Sequence, residues 1–149
     1  MYKTIVCAID GSELSTKALR HAIALARETG GRITAVTVTE PSIIVAPGAE
    51  MMMVDTASVI ADLDKAKADS ARQTLAEAEA LAKTAGADID GLHIANSPAA
   101  EGILLAAKNL GADLVVMGSH GRRGLGRLLL GSQASEVLSH AAIPVLIIK

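Results

Sequence analysis

The sequence predicts a doubly wound α/β fold. Short apolar runs alternate with helix-forming stretches along the whole chain, glycine, proline or aspartate stands at most junctions, and the fourth run opens into a loop of glycines and arginines. Strands separated by helices imply a parallel sheet, and right-handed crossovers place those helices on both of its faces. At 149 residues the chain fits a single domain covering residues 1–149.

Ile5 to Ile9 is the first expected strand, ending at Asp10-Gly11-Ser12. Leu14, Ala18, Ala22 and Leu25 then recur at helical spacing until Thr29-Gly30-Gly31 stops the helix. Ile33 to Thr39 is β-branched and is halted by Glu40-Pro41, which gives the second strand. From Pro41 to Thr56 there is no helical repeat, and Met51-Met52-Met53 suit either a lid or a packed gap. Ser58 to Ala85 is Ala-rich and helical, Asp88 to Ala95 a third strand. Ser97-Pro98 reads as a cap followed by proline in the first helical position, with the helix running to Leu110. Asp113 to Met117 is the fourth strand, a helix from Ser132 to His140 follows the glycine loop, and Ile143 to Ile148 is the fifth strand.

Composition excludes several classes of partner. Half the residues are hydrophobic, yet there is no Phe or Trp and one Tyr, so the core is built from Ala, Leu, Ile and Val. Bases have almost nothing to stack on, and a net charge of −2 offers no field for a polyanion, so no nucleic acid is expected. No apolar run reaches the length of a membrane span and no secretory h-region opens the chain, so no membrane is expected and a cytoplasmic location is. Cys7, the single cysteine, sits mid-strand and reads as core.

The loop from Gly118 carries the chemistry. Its small residues let an anion approach the backbone, and Arg122, Arg123 and Arg127 bring cations to the same segment. Ser132 reads as the N-cap of the last helix, Ser135 rather than Glu or Gln stands three residues on, and no acid precedes Glu136. The positive helix end is left for an outside anion, and phosphate is the natural guest. Two familiar phosphate loops do not fit. A Walker A loop would need lysine and a hydroxyl where Arg127 and Leu128 stand, and a dinucleotide fingerprint would need glycine at Leu129.

Gly118, two residues, Gly121, nine residues, Gly131 and then Ser132 form a pattern that resembles the nucleotide-binding signature of the universal stress protein family. The likeness runs from Tyr2-Lys3-Thr4-Ile5-Val6 to Ile143-Pro144-Val145-Leu146-Ile147-Ile148. It implies a five-stranded sheet in the order 3-2-1-4-5, whose direction reverses between strands one and four. Ligands of such sheets lie beyond the strand ends at that reversal, where Asp10 and Gly118 are expected to meet. The resemblance further implies ATP, or AMP or ADP, with Mg²⁺. Gly118, Gly121, Gly131 and Ser132 would contact the phosphates, Asp10 the ribose or a phosphate-bound metal, and the backbone of Val38 the adenine edge. Arg122 is a candidate phosphate clamp. Asn96 departs from the glycine usual before x-Pro in this family.

The implied role is a dimeric nucleotide-binding stress or signalling module, with a slow ATP hydrolase or a nucleotide-free dimerisation module as alternatives. Catalysis is not required: Ser12 and Ser119 lie in no Gly-x-Ser-x-Gly, and His120 has no partner visible in sequence. His21, His93 and His140 show no ligand spacing, so no protein-made metal site is expected. Val145 to Ile148 is apolar at an expected sheet edge behind Pro144, which a homodimer through strand five would cover.

Overall fold

In the computed structural model, which describes residues 1–44, 55–122 and 130–149, the first strand of the chain is the central strand of the sheet. Strand β1 (Thr4–Ala8) buries Ile5, Val6 and Cys7 completely, as a strand covered on both faces must. It is followed by α1 (Glu13–Thr29), β2 (Arg32–Val38), α2 (Thr56–Thr84), β3 (Ile89–Ile94), α3 (Ala99–Asn109), β4 (Leu114–Gly118), α4 (Ser132–His140) and β5 (Val145–Ile148). All four strand pairs are parallel and the order is β3-β2-β1-β4-β5, as expected.

Alternation along the strands divides the core in two. Ile5, Cys7, Ile33, Leu114 and Val116 face α1 and α2, whereas Val6, Val36, Val115 and Met117 face α3 and α4. Each fully buried Leu, Ile or Val contributes roughly 1.5–3 kcal/mol. Alanines at 18 and 22 of α1 and at 100 and 106 of α3 bring those helices close to the sheet. Cys7 lies in the core as its position predicts, and burial pushes its thiol up to about 12.

Several element edges depart from expectation. Helix α2 starts at Thr56, where the Asp55 carboxylate accepts the Ser58 N–H at 3.2 Å. Pro98 is the N-cap of α3 rather than its first residue, and Ser97 does not cap: its hydroxyl donates to the Pro98 carbonyl at 3.1 Å. Gln133, from α4, accepts the Ala100 N–H at 2.9 Å instead. Strand β5 begins at Val145, after the Pro144 carbonyl has accepted the Val115 N–H at 3.0 Å. Of the segment read as a lid or packed gap, residues 45–54 lie outside the described residues, as do 123–129 with Arg123 and Arg127.

An aspartate fixes β1 to β4 at each end. At the amino ends of the strands, Asp113 accepts the N–H groups of Lys3 and Thr4 at 2.8 and 3.0 Å. At their carboxyl ends the corresponding residue is Asp10.

Candidate functional site

Strand β1 gives way to a turn that glycine permits. Gly11 has φ +79°, and Ser12 then caps α1 by accepting the Ser15 N–H at 3.2 Å. Asp10 Oδ1 accepts the Ser12 N–H at 2.9 Å, the local turn bond of an aspartate. Its other oxygen, Oδ2, accepts the Arg122 N–H at 2.8 Å across 112 positions of sequence. The end of β1 and the loop leaving β4 therefore meet, as expected for the point where the sheet reverses. A β-carbon on Gly121 would stand 2.8 Å from Asp10 Oδ2, so a side chain there collides with the carboxylate.

Burial raises the Asp10 pKa, but hydrogen bonds from Ser12, Arg122 and Ser15 together outweigh it and hold the carboxyl below its usual 3.8. The site keeps a carboxylate at neutral pH. An ionised carboxylate has about four lone-pair sites, so two backbone donors leave it able to accept more.

Arg122 joins the site by its backbone. Its guanidinium lies over Gly11, where an added β-carbon would be 2.5 Å from Nη2 and 3.4 Å from Thr74 Oγ1 of α2. The side chain thus leans toward α2.

Ser119 connects the loop to the last helix. Its N–H donates to the Ile148 carbonyl and its carbonyl accepts the Gly131 N–H, both at 2.7 Å. Gly131 has no room for a side chain, since a β-carbon would be 2.9 Å from the Ser119 carbonyl oxygen. The cap of helix α4 lies one residue earlier than expected: Gly131, with φ −70° and ψ 162°, is the N-cap, and Ser132 is the first helical residue. The bond to Ser119 holds Gly131 extended, which moves the Ser132 hydroxyl past the capping position.

No side chain caps α4, its first turn has no acid, and its first helical bond runs from the Ser135 N–H to the Gly131 carbonyl at 2.9 Å. The N–H groups of Ser132, Gln133 and Ala134 precede that bond and have no intrahelical acceptor. The Gly131 N–H, by contrast, is already used.

Val38 stands at the end of β2, and its side chain packs on α3: a β-carbon on Gly102 would be 2.7 Å from Val38 Cγ1. The Val36 carbonyl accepts the Ile9 N–H at 2.9 Å, so alternation turns the N–H and C=O of Val38 to the same side, past the end of β1. The Ile9 carbonyl accepts the Thr37 hydroxyl at 3.0 Å.

The sequence-expected residues thus form two groups beside one another. Asp10, Gly121 and Arg122 are joined directly, while Gly118, Gly131 and Ser132 are joined through Ser119. Ser119 owes its importance to its backbone, which residue identity does not advertise; Gln133 capping α3 left no sequence signal at all. Among the described residues there is no group of three or more His, Cys, Asp and Glu placed to hold a metal, and no helix long and apolar enough to cross a membrane.

An all-parallel, doubly wound sheet whose β1 and β4 loops meet beside an uncapped helix defines an α/β protein with an anion-compatible crevice at the switch point. The universal stress protein family model matches residues 1–149, and the chain belongs to that family. A universal stress protein of Methanocaldococcus jannaschii is 36% identical over 149 residues, which cover all of this chain and 83% of that relative. The structure of the universal stress protein UspA from Lactobacillus plantarum superposes with a TM-score of 0.82 at 25% identity, covering 99% of this chain and 98% of that one. A universal stress protein solved in complex with cAMP gives a TM-score of 0.72 at 26% identity, with 99% and 97% covered.

The Asp10 bonds set a pH dependence. Ionised Asp10 stabilises the fold fully above the unfolded value of 3.8, and the contribution is lost as pH falls through the lower folded pKa. In Asp10→Asn the amide NH₂ must face one of the two N–H donors, which should cost about 1–2 kcal/mol at neutral pH. Urea denaturation of both proteins should show the difference constant above about pH 5 and shrinking below about pH 4. A difference independent of pH would contradict the assignment.

Proposed function

We propose that the crevice between β1 and β4 binds an adenine nucleotide, ATP foremost with AMP and ADP as the shorter alternatives, and that the protein acts through that occupancy as a stress or signalling module. The observation that carries this reading is the free first turn of α4 beside the crowded approaches at Gly121 and Gly131. Three amides without acceptors among the described residues, at the positive end of a helix, are suited to phosphate oxygens. A hydrogen bond to a charged group is worth about 1.5–3 kcal/mol, so a few such donors suffice for useful affinity. Ser132 offers its amide and hydroxyl to the same oxygens, and Gly118 and Gly121 let the loop that lines the crevice pack closely on Leu14 and Asp10. Asp10, with lone pairs to spare, accepts from the ribose hydroxyls. The outward N–H and C=O of Val38 fit an adenine edge, and the similar universal stress protein solved in complex with cAMP supports an adenine nucleotide as the class of ligand. Arg122 contributes its loop position, and its guanidinium would have to turn from α2 to reach a phosphate.

The residues present fit Mg²⁺ carried by the nucleotide better than Mg²⁺ held by the protein. Magnesium takes one or two carboxylates with phosphate oxygens and water. Asp10 is the carboxylate at this crevice, and both its oxygens already accept backbone donors. The ion, when bound, would neutralise the phosphates.

Purified protein should release an adenine nucleotide on denaturation or take up ATP in calorimetry. Gly121→Val, whose side chain meets Asp10 Oδ2, should lose that uptake while keeping its helical circular dichroism. A wild-type chain that neither carries nor accepts ATP contradicts the reading, and so does full binding by Gly121→Val.

The same reading includes a homodimer through strand five. Strand β5 is an edge of the sheet, Leu146 is 37% exposed, and Val145 and Ile147 are half-buried. Pairing two such edges across a two-fold axis satisfies their free backbone groups. Its Gly118↔Ile148 register and the Ser119 bond to Ile148 connect that edge to the loop, so occupancy would bias the dimer surface. Sedimentation equilibrium at micromolar concentration should give a dimer, reduced to monomer by Leu146→Lys. A wild-type monomer rules this arrangement out.

A further inference from the structure

Buried polar atoms in folded proteins almost always have a partner. Two among the described residues have none: Ser42 Oγ, on the segment leaving β2, and His120 Nε2, on the loop leaving β4. Both stand at the carboxyl end of the sheet, where Asp10 and the first turn of α4 also lie.

His120 says more, because its other nitrogen is accounted for. Nδ1 is 3.0 Å from Ser119 Oγ, and Ser119 is only 2% exposed. Were the proton on Nδ1, it would donate to Oγ and leave the serine hydroxyl hydrogen buried without an acceptor. The opposite assignment leaves one unpaired group instead of two: the hydroxyl donates to Nδ1, and the imidazole proton sits on Nε2. Nε2–H is then a buried donor that lacks an acceptor among the described residues.

The ring lies along the start of α4. A β-carbon on Gly131 would be 3.4 Å from His120 Cα and 3.6 Å from Cδ2, the carbon bonded to Nε2. Gly131 immediately precedes the free amides of Ser132, Gln133 and Ala134. Ring and helix therefore present donors, and no acid stands in that first turn to absorb them. An oxyanion seated there would accept from both.

We propose that His120 is a phosphate-binding residue of this crevice: its Nε2–H, held in that tautomer by Ser119, donates to a phosphate oxygen of the bound nucleotide. The proposal rests on the nucleotide reading and adds a side-chain donor to a site otherwise built from backbone. With the proton on Nε2, the neutral ring has no lone pair there, so His120 serves as a donor and not as a base or phosphoryl acceptor.

Calorimetric titration of the wild type, His120→Ala and His120→Gln with ATP and with adenosine tests this, together with the nitrogen-15 imidazole spectrum of the wild type. His120→Ala should weaken ATP about tenfold or more while leaving adenosine unchanged. His120→Gln, whose amide nitrogen can replace Nε2–H, should recover part of the loss. The wild-type spectrum should show the neutral ring protonated on Nε2, with that nitrogen shifting when ATP is added.

Unchanged ATP affinity in His120→Ala overturns the role of His120 and leaves the nucleotide reading intact. A proton on Nδ1, or an Nε2 signal indifferent to saturating ATP, overturns it even if the alanine variant does not fold. A wild-type chain that binds no ATP overturns both.

Discussion

The bond from the Arg122 amide to Asp10 is the constraint on which the crevice depends. It closes a loop of 112 residues and ties the end of the central strand to the loop that leaves β4. Without it, the parallel pairing of β1 and β4 ends at Cys7 and Val116, and nothing fixes how the two loops leave the sheet. The bond is also what makes Gly121 obligatory, since the carboxylate occupies the space a β-carbon needs. Asp113 does the corresponding work at the amino ends of the strands, so the central pair is held at both ends by carboxylates accepting backbone N–H groups. That arrangement is inexpensive in charge: the acceptors are ionised, and the donors need no counter-ion to be satisfied.

The second constraint is steric. Ser119 holds Gly131 by its N–H, Gly131 stays extended, and α4 consequently begins with amides that no side chain of the helix can reach. An ordinary side-chain cap would have satisfied one of these amides internally at a gain of about 1 kcal/mol. Its absence, beside a carboxylate that retains accepting capacity and an imidazole with an unspent donor, gives the crevice complementary needs: phosphate oxygens for the donors, hydroxyls for the acceptor. A nucleotide has both.

Much of this was legible in the sequence, for identifiable reasons. Strand and helix order follows from apolar runs broken by Gly, Pro and Asp, and the strand order came with the family resemblance. The meeting of Asp10 with the β4 loop followed from topology, because only the switch point brings those segments together. What could not be read were groups whose roles depend on backbone or on distant partners. Ser132 carries a good capping side chain, yet the Ser119 bond to Gly131 moved the cap back one residue. Ser97 has the right chemistry to cap α3, but its hydroxyl turned to the Pro98 carbonyl and Gln133 took the task from another helix. The tautomer of His120 depends on burial of Ser119, which no local pattern encodes.

The central claim is that the first-turn amides of α4 are the phosphate donors, and hydrogen–deuterium exchange resolved at single residues tests it most directly. With saturating ATP the amides of Ser132, Gln133 and Ala134 should exchange markedly more slowly than in the nucleotide-free protein, while those of the interior of α4 change little. Equal exchange at those three amides with and without bound ATP would contradict the account.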